Sequence, residues 1–527
     1  MATSPVIYDD APLRERVKNA LADDFKHNAI KSAQETIVGN RNKCADANPL
    51  WEELRWEAAY IRNHVLENLD YYIREFAKNA EAAGATVHFA PTAEDAVECA
   101  LDIFEEVHAT RCVKSKSMVT EEVGLNEYLE KHGIHAVETD CAENILQTAG
   151  SKPSHIVVPA LHFNRDSIRD LYREKKGYTG SNSPEEITKF LRSNLREEFL
   201  SAKVGVTGCN FGVAETGSCT LVTNEGNARM ATTVPETQIV MMGAERIVPD
   251  LRSLDTLVAL LVPSAVGSKI TSSFQVNTGA AKPGEADGPT KVHIIMVDNG
   301  RSKILASEFR GMLRCIRCGA CMNNCPVYRH ITGHGYGTIY PGPMGVVLTP
   351  LLEGYENTDK LPYACSLCGA CDDMCPVRIP LHRHIHKHKF NLAEHGHTSA
   401  PEQATFDMAG KVLSNRLLYD IATGSGSRGM KILGGAYGAL GLSTSWIPVL
   451  RGWTSSRDMD LMAKERFRDR FAKRTPVAAE LDENGMSAAD RAEAAREKAA
   501  AGAHASVAAG AADAAEQDLS QEGGARA

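Results

Sequence analysis

The sequence lacks two features that would have assigned it to a broad class of proteins. Basic residues are not in excess, since 58 Lys and Arg stand against 67 Asp and Glu and the formal net charge is −9. No positive field is therefore expected to attract nucleic acid. Residues 1–21 mix acidic, basic and apolar residues, whereas a secretory leader has an apolar stretch behind a basic one. We expect a cytoplasmic protein, with attachment to the inner face of the membrane as the alternative.

Long apolar runs are also scarce. Ile432–Leu450 is uncharged and long enough to span a membrane, but it contains four Gly and Pro448, so it predicts a buried helix or loop and no membrane span. A clear nucleotide-binding fingerprint is missing as well. Gly424–Gly429 has the G-x-G-x-x-G spacing but follows a helix-like stretch rather than a strand, and we interpret it as a flexible linker. The sequence thus offers no flavin or nicotinamide site.

The residues beyond Pro476 lack aromatic side chains. Of these 51 residues 20 are Ala, so residues 476–527 are predicted to form a disordered tail that cannot bury a core. The preceding segment, residues 398–475, predicts a helical extension. Near its end Phe467 and Phe471 have helical spacing, which indicates a solvated helix with one apolar edge or, alternatively, a helix that docks a partner.

Strand and helix patterns alternate over the first 300 residues and predict an α/β domain around a largely parallel sheet, residues 1–299. An apolar stripe from Leu54 to Phe76 predicts one long surface helix. Helices are also predicted at Ala93–Val107, capped by Thr92 and Asp95, and at Glu185–Leu200. The predicted strands are Thr86–Ala90, Ile156–Leu161, Val204–Val206, Cys219–Thr223, Ile239–Met242, Leu257–Val262 and Val292–Val297.

Eight of the 14 cysteines fall in two runs, Cys315–Cys325 and Cys365–Cys375, within a third predicted domain, residues 300–397. Both runs read C-x2-C-x2-C-x3-C and are followed by Pro. This is the pattern of bacterial ferredoxins that carry two [4Fe–4S] clusters. Zinc is the competing metal, but zinc ribbons use two separated C-x2-C pairs and not three cysteines in consecutive steps. The sequence therefore predicts two [4Fe–4S] clusters and an electron carrier.

In the ferredoxin pattern, the fourth cysteine of each run binds the cluster of the other run. The resemblance therefore implies two ligand sets, each made of the first three cysteines of one run and the fourth cysteine of the other run. The 40 residues from Cys325 to Cys365 exceed what a compact ferredoxin uses, and they resemble the helical ferredoxin module of succinate dehydrogenase-type and heterodisulfide reductase-type subunits. The first set is Cys315, Cys318, Cys321 and Cys375, and the second set is Cys365, Cys368, Cys371 and Cys325.

Other metal-binding residue types have ordinary interpretations. Four alternating histidines after the second run could pair on a helix to hold a metal or a haem, but they are predicted to form a solvated basic helix edge; they are His382, His384, His386 and His388. The six remaining cysteines are predicted to be buried thiols rather than ligands; they are Cys44, Cys99, Cys112, Cys141, Cys209 and Cys219.

A polar, Gly-rich constellation in the α/β domain comprises Gly205–Gly217 and Thr223–Asn227. It predicts either a pocket at the carboxyl edge of the sheet or tight turns capped by Asn and Glu. These segments, with three others, resemble the lactate-utilisation domain family. The other three are Lys114–Met118 with Glu121 and Glu122, Glu138–Asp140, and Pro153–Ile156. A domain of this kind joined to two cysteine runs resembles the lactate utilisation protein B family.

The resemblance implies a fold like that of the ribose-5-phosphate isomerase and CoA-transferase group. It further implies an iron–sulfur electron-transfer subunit of an NAD-independent system that oxidises L-lactate to pyruvate. The implied partners are a cysteine-rich protein and a smaller lactate-utilisation-domain protein, and the electron acceptor is open. Residues that could bind the substrate or accept its proton are Lys114, Lys116, Glu215 and Glu225.

Two alternatives remain for the function. The α/β domain could be a regulatory ligand-binding module whose clusters sense redox state. The electron donor could instead be another hydroxy acid such as glycolate, or glycerol 3-phosphate. Whether this chain is itself the enzyme depends on where its partners place the hydride acceptor.

Overall fold

The computed structural model describes two compact units, Met1–Ser399 and Ala400–Ala527. In the first unit the described residues are 4–398. In the second they are 400–434, 439–440, 446–447, 451, 454–455, 457–463 and 465–473. The predicted tail, residues 476–527, lies outside the described residues.

The first unit contains most of the regular structure. Its strands are β1 (Ala85–Ala90), β2 (Arg111–Lys114), β3 (His135–Glu138), β4 (Val204–Thr207), β5 (Phe211–Val213), β6 (Ser218–Thr223), β7 (Thr237–Gly243), β8 (Ile247–Val248), β9 (Ser273–Asn277) and β10 (Lys291–Val297). Its helices before the cysteine runs are α1 (Leu13–Leu21), α2 (Asp24–Asp46), α3 (Trp51–Glu67), α4 (Leu69–Ala82), α5 (Ala93–Glu106), α6 (Met118–Glu122), α7 (Leu125–Lys131), α8 (Cys141–Ala149), α9 (Arg165–Lys176), α10 (Pro184–Ser201), α11 (Asn227–Thr233) and α12 (Leu251–Val266).

Further helices of 4 to 14 residues carry the cysteine runs and the chain around them. They are α13 (Arg301–Leu305), α14 (Ala320–Asn323), α15 (Pro326–Ile331), α16 (Gly342–Glu353), α17 (Ala370–Met374) and α18 (Leu381–Glu394). Four 3-10 turns lie at Ala244–Arg246, Arg310–Arg314, His334–Tyr336 and Leu361–Tyr363.

Six parallel strands form the main sheet, in the order β1-β10-β7-β4-β2-β3, which confirms the predicted parallel sheet. Alternate residues of each strand face opposite layers. Ile295 of β10 packs in a core with α5 and α7, whereas Ile294 and Met296 pack with Phe76 of α4. Because all six strands run the same way, their carboxyl ends meet at one edge. A second, four-stranded sheet has the order β8-β5-β6-β9.

The helix predicted from Leu54 to Phe76 is wrong as a single element. It is two helices, α3 and α4, because the backbone leaves the helical region at Asn68. The apolar face of α3 is buried against α12 and the chain before the first cysteine run, while Trp56 and Tyr60 on its other side are exposed, as a surface helix requires. The predicted start of α5 is confirmed, because Thr92 and Asp95 form a reciprocal capping box.

Two predicted strands are also wrong. Leu257–Val262 lies inside α12, which begins at the cap residue Asp250 and is buried along much of its length, so its apolar run imitates a buried strand. Ile156–Leu161 is irregular chain, and Ser154 begins this segment with hydrogen bonds to the carbonyl of Pro159. Conversely, five strands of two to five residues were not predicted: β2, β3, β5, β8 and β9.

Buried arginines join the α/β part to the chain that carries the cysteines. Arg301 at the start of α13 donates two hydrogen bonds to Glu122 of α6, at 2.8 and 3.0 Å, and one to Glu245 at 2.5 Å. Arg62 of α3 donates to the carbonyls of Ile247, at 2.7 Å, and Leu313, at 3.0 Å. The predicted limits 1–299 and 300–397 therefore divide a region that packs as one unit.

The second unit contains α19 (Ala400–Ser414), α20 (Arg416–Gly434), α21 (Phe467–Ala472) and the strand pair β11 (Ala439–Leu440) and β12 (Met459–Asp460). The interpretation of Gly424–Gly429 as a flexible linker is wrong, since these residues lie inside α20. Among the described residues, no helix combines the length and apolar composition needed to cross a bilayer. Most of Ile432–Leu450 lies outside the described residues, and Ile432 itself is exposed.

Candidate functional site: the cysteine runs and the adjoining sheet edge

Both cysteine runs fold in the same way because both contain two left-handed residues. In the first run Arg317 and Gly319 have φ of +59° and +77°. In the second run Leu367 and Gly369 have φ of +57° and +80°. These residues turn the chain tightly between the first and third cysteine, so that three thiols lie close together. The N–H groups of Arg317 and Leu367 also donate to the sulfur two residues earlier, at 3.4 and 3.3 Å.

One cavity gathers thiols from both runs. It has a largely apolar wall that includes Ile156 and Met344. Cys375 of the second run lines it, although the other cysteines present are those of the first run: Cys315, Cys318 and Cys321. Four soft sulfur donors around an apolar space fit the ligand set of a [4Fe–4S] cluster.

The remaining thiols are neighbours as well. Burial is the largest cause that raises the pKa of Cys325, to about 11, and the charge of Cys365 adds to it. Burial and Asp372 raise the pKa of Cys371, with smaller contributions from Cys365 and Cys325. Cys325 therefore lies with cysteines of the second run. Thiols with such pKa values are protonated at neutral pH, so a metal must displace their protons.

The two runs differ in exposure. Cys318 of the first run is 7% exposed, whereas the corresponding Cys368 of the second run is exposed; the third cysteines of the runs, Cys321 and Cys371, are both buried. The α/β part causes this difference, because His155 and Val157 pack directly on Gly319. Nothing lies within 4 Å of the equivalent point at Gly369.

Arginines surround the first ligand set. Arg55 donates to the carbonyl of Cys375, at 2.9 and 3.1 Å, and Arg246 donates to the carbonyl of Cys315 at 2.7 Å. Arg317 lies half-buried over the ring of Tyr340. A cluster held by four thiolates carries net negative charge, so guanidinium groups bonded to the backbone of its ligands would stabilise it.

The predicted solvated histidine edge is wrong for part of α18. His388 is fully buried; its Nε2 donates to the Val347 carbonyl at 3.0 Å and its Nδ1 accepts from the Tyr355 hydroxyl at 2.7 Å. His384 is half-buried against Phe309. Of the four histidines only His386 is exposed, since His382 is half-buried with its Nδ1 2.6 Å from a carboxylate oxygen of Asp372. Within the described residues, no group of three or more His, Cys, Asp or Glu side chains is arranged to hold a single metal ion.

Of the six other cysteines, Cys112 and Cys219 are buried as predicted. The other four are only half-buried; they are Cys44, Cys99, Cys141 and Cys209.

The four candidate residues of the α/β domain separate into three environments. Lys114 at the end of β2 is buried in an ion pair with Glu138 of β3, at 2.6 Å. Burial opposes its charge, but the nearby carboxylates outweigh burial and raise the pKa of Lys114. Its ammonium group is therefore a structural cation. Glu215 is exposed and lies apart from this group, in the turn between β5 and β6.

Lys116 and Glu225 come together, with two residues that were not predicted. These four side chains form the sheet-edge site: Lys116, Asp140, Glu143 and Glu225. Lys116 follows β2, and Asp140 and Glu143 follow β3, its parallel neighbour in the main sheet, whereas Glu225 follows β6 of the four-stranded sheet. Asp140 caps α8 by accepting from the N–H groups of Ala142 and Glu143, at 3.1 and 3.2 Å. That D-x-x-E spacing is the signal in the sequence that could have pointed to Glu143.

Two family models match the chain. One is the LUD domain, over residues 73–297, and the other is the 4Fe-4S dicluster domain, over residues 311–379. The protein is therefore an iron–sulfur protein in which an α/β LUD domain with a parallel sheet is joined to a ferredoxin-like region and further helices.

Several curated relatives align along most of their length. Lactate utilization protein B of Shouchella clausii is 49% identical over 466 residues, which are 88% of this chain and 97% of that protein. Lactate utilization protein B 2 of Bacillus mycoides is 48% identical over 86% of this chain and 95% of its own. The uncharacterized electron transport protein YkgF of Escherichia coli is 47% identical over 87% and 96%. The chain belongs to the lactate utilization protein B family.

A solved structure of a DUF162 family protein from Deinococcus radiodurans is also similar, over 45% of this chain and 98% of that chain. Its TM-score of 0.23 and sequence identity of 14% are too low to support an argument about the fold.

Proposed function

We propose that this chain is the iron–sulfur electron-transfer subunit of an NAD-independent system that oxidises L-lactate to pyruvate. The observation that carries the proposal is the junction between the first cysteine run and the α/β domain, where Ile156 of that domain lines the same cavity as four cysteine thiols. The names of the relatives support lactate as the substrate and electron transport as the role.

The proposal includes two [4Fe–4S] clusters with crossed ligands. The first ligand set is Cys315, Cys318, Cys321 and Cys375, and the second is Cys365, Cys368, Cys371 and Cys325. The shared cavity supports the first set, and the mutual effects on thiol pKa values support the place of Cys325 in the second. When bound, the clusters supply one-electron carriers.

The different exposure of Cys318 and Cys368 suggests which cysteine run lies on the substrate side and which lies on the side of a partner protein. The first run faces the α/β domain, where a substrate would bind, and the second run opens to solvent at Cys368. A partner protein can therefore approach the second run without displacing the α/β domain. We place the electron-accepting or electron-donating contact with the cysteine-rich partner there, and the smaller LUD-domain protein remains the second expected partner.

We also propose a fold group for the α/β domain, limits for the regions of the chain and a location for the protein. The six-stranded parallel sheet supports a fold like that of the ribose-5-phosphate isomerase and CoA-transferase group. The limits 1–299, 300–397, 398–475 and 476–527 are proposed as limits of the functional regions of the chain, the first two of which pack together in one compact unit. A cytoplasmic location is proposed from the sequence.

The crossed ligands can be tested by comparing serine variants in the full chain, purified without oxygen. Cys375→Ser should alter the same EPR signal as Cys318→Ser, and Cys325→Ser should alter the same signal as Cys368→Ser, because each pair shares a ligand set. If Cys375→Ser instead matches Cys368→Ser, each run holds its own cluster and the crossed assignment is wrong.

The substrate is tested with the reconstituted complex. Addition of L-lactate should bleach the visible absorption of the oxidised clusters and produce a reduced EPR signal. Bleaching with glycolate or glycerol 3-phosphate, and none with lactate, would contradict lactate as the donor. Lactate oxidation that continues unchanged in a Cys371→Ser complex would favour a redox-sensing role.

A further inference from the structure

The two cysteine runs share a backbone conformation but differ in charge at matched positions. The second residue after the first cysteine is Arg317 in the first run and Leu367 in the second, with φ of +59° and +57°. The residue after the third cysteine is Met322 in the first run and Asp372 in the second. At matched positions the first run therefore carries a cation and the second run an anion.

Backbone hydrogen bonds to sulfur are matched between the two ligand sets. In each set two N–H groups donate to thiol sulfurs, at 3.3 and 3.4 Å. The donors are Arg317 and Ile379 in the first set, and Leu367 and Tyr328 in the second. Hydrogen bonds to the sulfurs, net charge and exposure to solvent set the reduction potential of a given type of cluster. Because these hydrogen bonds are equivalent, charge and exposure decide which cluster is easier to reduce.

A network of charged side chains lies behind the first run, and it contains more cations than anions. This arginine network comprises Arg62, Arg246, Arg301, Arg317, Glu122 and Glu245. The carboxylate of Glu245 is 2.5 Å from Arg301 and 3.8 Å from Arg317, and Arg62 donates to its carbonyl. The side chain of Arg317 is 15% exposed and the other five residues are buried. Four guanidinium groups against two carboxylates leave two positive charges shielded from water.

The excess positive charge of the arginine network adjoins the first ligand set. Arg246 donates to the carbonyl of Cys315 at 2.7 Å, and Arg62 donates to the carbonyl of Leu313 at 3.0 Å. Arg317 itself lines the cavity that contains the four thiols of the first set. A buried charge without a partner is costly, so an anionic group in that cavity would stabilise the network. By the same interaction the network favours the more negative, reduced state of the first cluster.

The surroundings of the second ligand set are more acidic. Asp372 has a carboxylate oxygen 3.5 Å from Sγ of Cys371, and the next residue is a further, exposed Asp. His382 donates its backbone N–H to Asp372 at 3.0 Å, and its Nδ1 lies 2.6 Å from the other carboxylate oxygen. Lys389 opposes these carboxylates, since it donates to the carbonyl of Cys365 at 3.3 Å. Among the described residues, the second run therefore has no counterpart of the arginine network.

Two other influences are smaller than the arginine network. Arg55 donates to the carbonyls of Cys375 and Asp372, at 2.9 and 3.2 Å, so it acts on both sets. Water at the exposed Cys368 favours the reduced state of the second cluster and opposes the effect of the charges. The other thiols of the second set are buried or half-buried, however, and interactions with buried charges are screened much less than interactions with exposed ones. The effect of charge therefore exceeds that of exposure.

We infer that the arginine network holds the first cluster at a higher reduction potential than the second cluster. A single electron from the donor of the proposed function then rests on the first cluster, beside the α/β domain. This step adds one electron to the cluster and neither forms nor breaks a bond. The inference rests on the proposed function, since it uses the two clusters and the ligand sets of that function.

The test is a potentiometric titration of the cluster-loaded full chain with dithionite, without oxygen and at constant pH, followed by EPR. The signal that Cys318→Ser alters should appear at a higher potential than the signal that Cys368→Ser alters. Arg317→Leu gives the first run the residue that has the same backbone conformation in the second run. It should lower the potential of the first signal by about 59 mV or more, which is tenfold for one electron. Arg317→Lys, which keeps the charge, should retain most of the parent potential.

Two further variants separate charge from structure. Asp372→Asn should raise the potential of the second signal and leave the first unchanged, because it removes an anion beside Cys371. The matched control is Arg74→Leu, which replaces an arginine 72% exposed and paired with Asp70, and it should change neither potential. Equal or reversed potentials in the parent, or an unchanged first potential in Arg317→Leu, would overturn the inference. If Arg317→Leu does not take up the first cluster, the order in the parent and the shift in Asp372→Asn decide it.

The proposed function fails separately. If lactate reduces both clusters in the reconstituted complex but the second signal appears at the higher potential, only the inference is wrong. If the order of the potentials is as expected but lactate never reduces the clusters, the effect of the arginine network stands and the proposed electron donor is wrong.

Discussion

Gly319 and Gly369 occupy the same position in the two cysteine runs, and replacing each with Ala gives a matched pair of perturbations. Both glycines have left-handed backbone, with φ of +77° and +80°. An Ala in that conformation costs about 1–2 kcal/mol at either position. The two positions differ in what the new methyl group meets.

At Gly319 a Cβ would lie 3.1 Å from Cε1 of His155 and 3.3 Å from Cγ2 of Val157, whereas at Gly369 it would meet nothing within 4 Å. His155 cannot retreat easily, because its ring is hydrogen-bonded on both sides. Overpacking of this kind costs about 1–3 kcal/mol. We therefore expect Gly369→Ala to lower the free energy of unfolding by about 1–2 kcal/mol and Gly319→Ala by about 2–5 kcal/mol.

The assay is urea denaturation of the cluster-loaded protein under anaerobic conditions, followed by circular dichroism and by the visible absorption of the clusters. Gly319→Ala should also perturb the EPR signal assigned to the first ligand set, while Gly369→Ala leaves that signal unchanged. Equal losses of stability in the two variants would refute the reasoning, because the α/β domain would then not pack on the first run.

Three further predictions concern the buried charges and the metal. Glu122→Gln should lower the free energy of unfolding by about 3–5 kcal/mol in urea denaturation, since it leaves Arg301 buried with Glu245 alone, whereas the exposed Glu174→Gln should change it little. Burial opposes ionisation of Glu122, but Arg301 and further hydrogen bonds lower its pKa to about 2 from 4.5, so its contribution is complete above pH 4.5 and is lost as the pH falls toward 2. The thermal unfolding temperature of the parent should therefore rise between pH 2 and pH 4.5, and this pH dependence should be weaker in Glu122→Gln. The same pH dependence in both proteins would contradict the stabilising role of the Glu122–Arg301 ion pair. Anaerobic removal of iron by a chelator should increase amide hydrogen exchange in both cysteine runs together, and a change in one run alone would contradict the crossed ligands.

Local patterns were enough to predict some parts of this protein. The cysteine spacing is a local property, so it predicted the iron–sulfur region, and the capping pair Thr92 and Asp95 predicted the start of α5. The parallel sheet followed from the alternation of strands and helices. Leu257–Val262 failed because an apolar run buried on all sides looks the same in a helix and in a strand.

The sheet-edge site could be predicted only in part, because its members come from separate segments. Lys116 and Glu225 were recognised within polar segments, but Glu143 acquires its role from the approach of Glu138 and Lys116 after folding. The same holds for exposure. Identical motifs predict identical runs, but His155 packs on Gly319 while nothing lies at the equivalent point of Gly369, and Cys318 is buried while Cys368 is exposed.

Arg62 bears on whether the cysteine-bearing segment can be separated from the α/β part. It is fully buried in α3 and donates to carbonyls on both sides of the apparent domain limit, at Ile247 and Leu313. A gene fragment that encoded residues 300–397 alone would leave such carbonyls without donors and expose the apolar wall that α3 and α12 cover. The cysteine-bearing segment is therefore not a cassette that can be exchanged between proteins, and recombination that preserves function should keep residues 51–397 together.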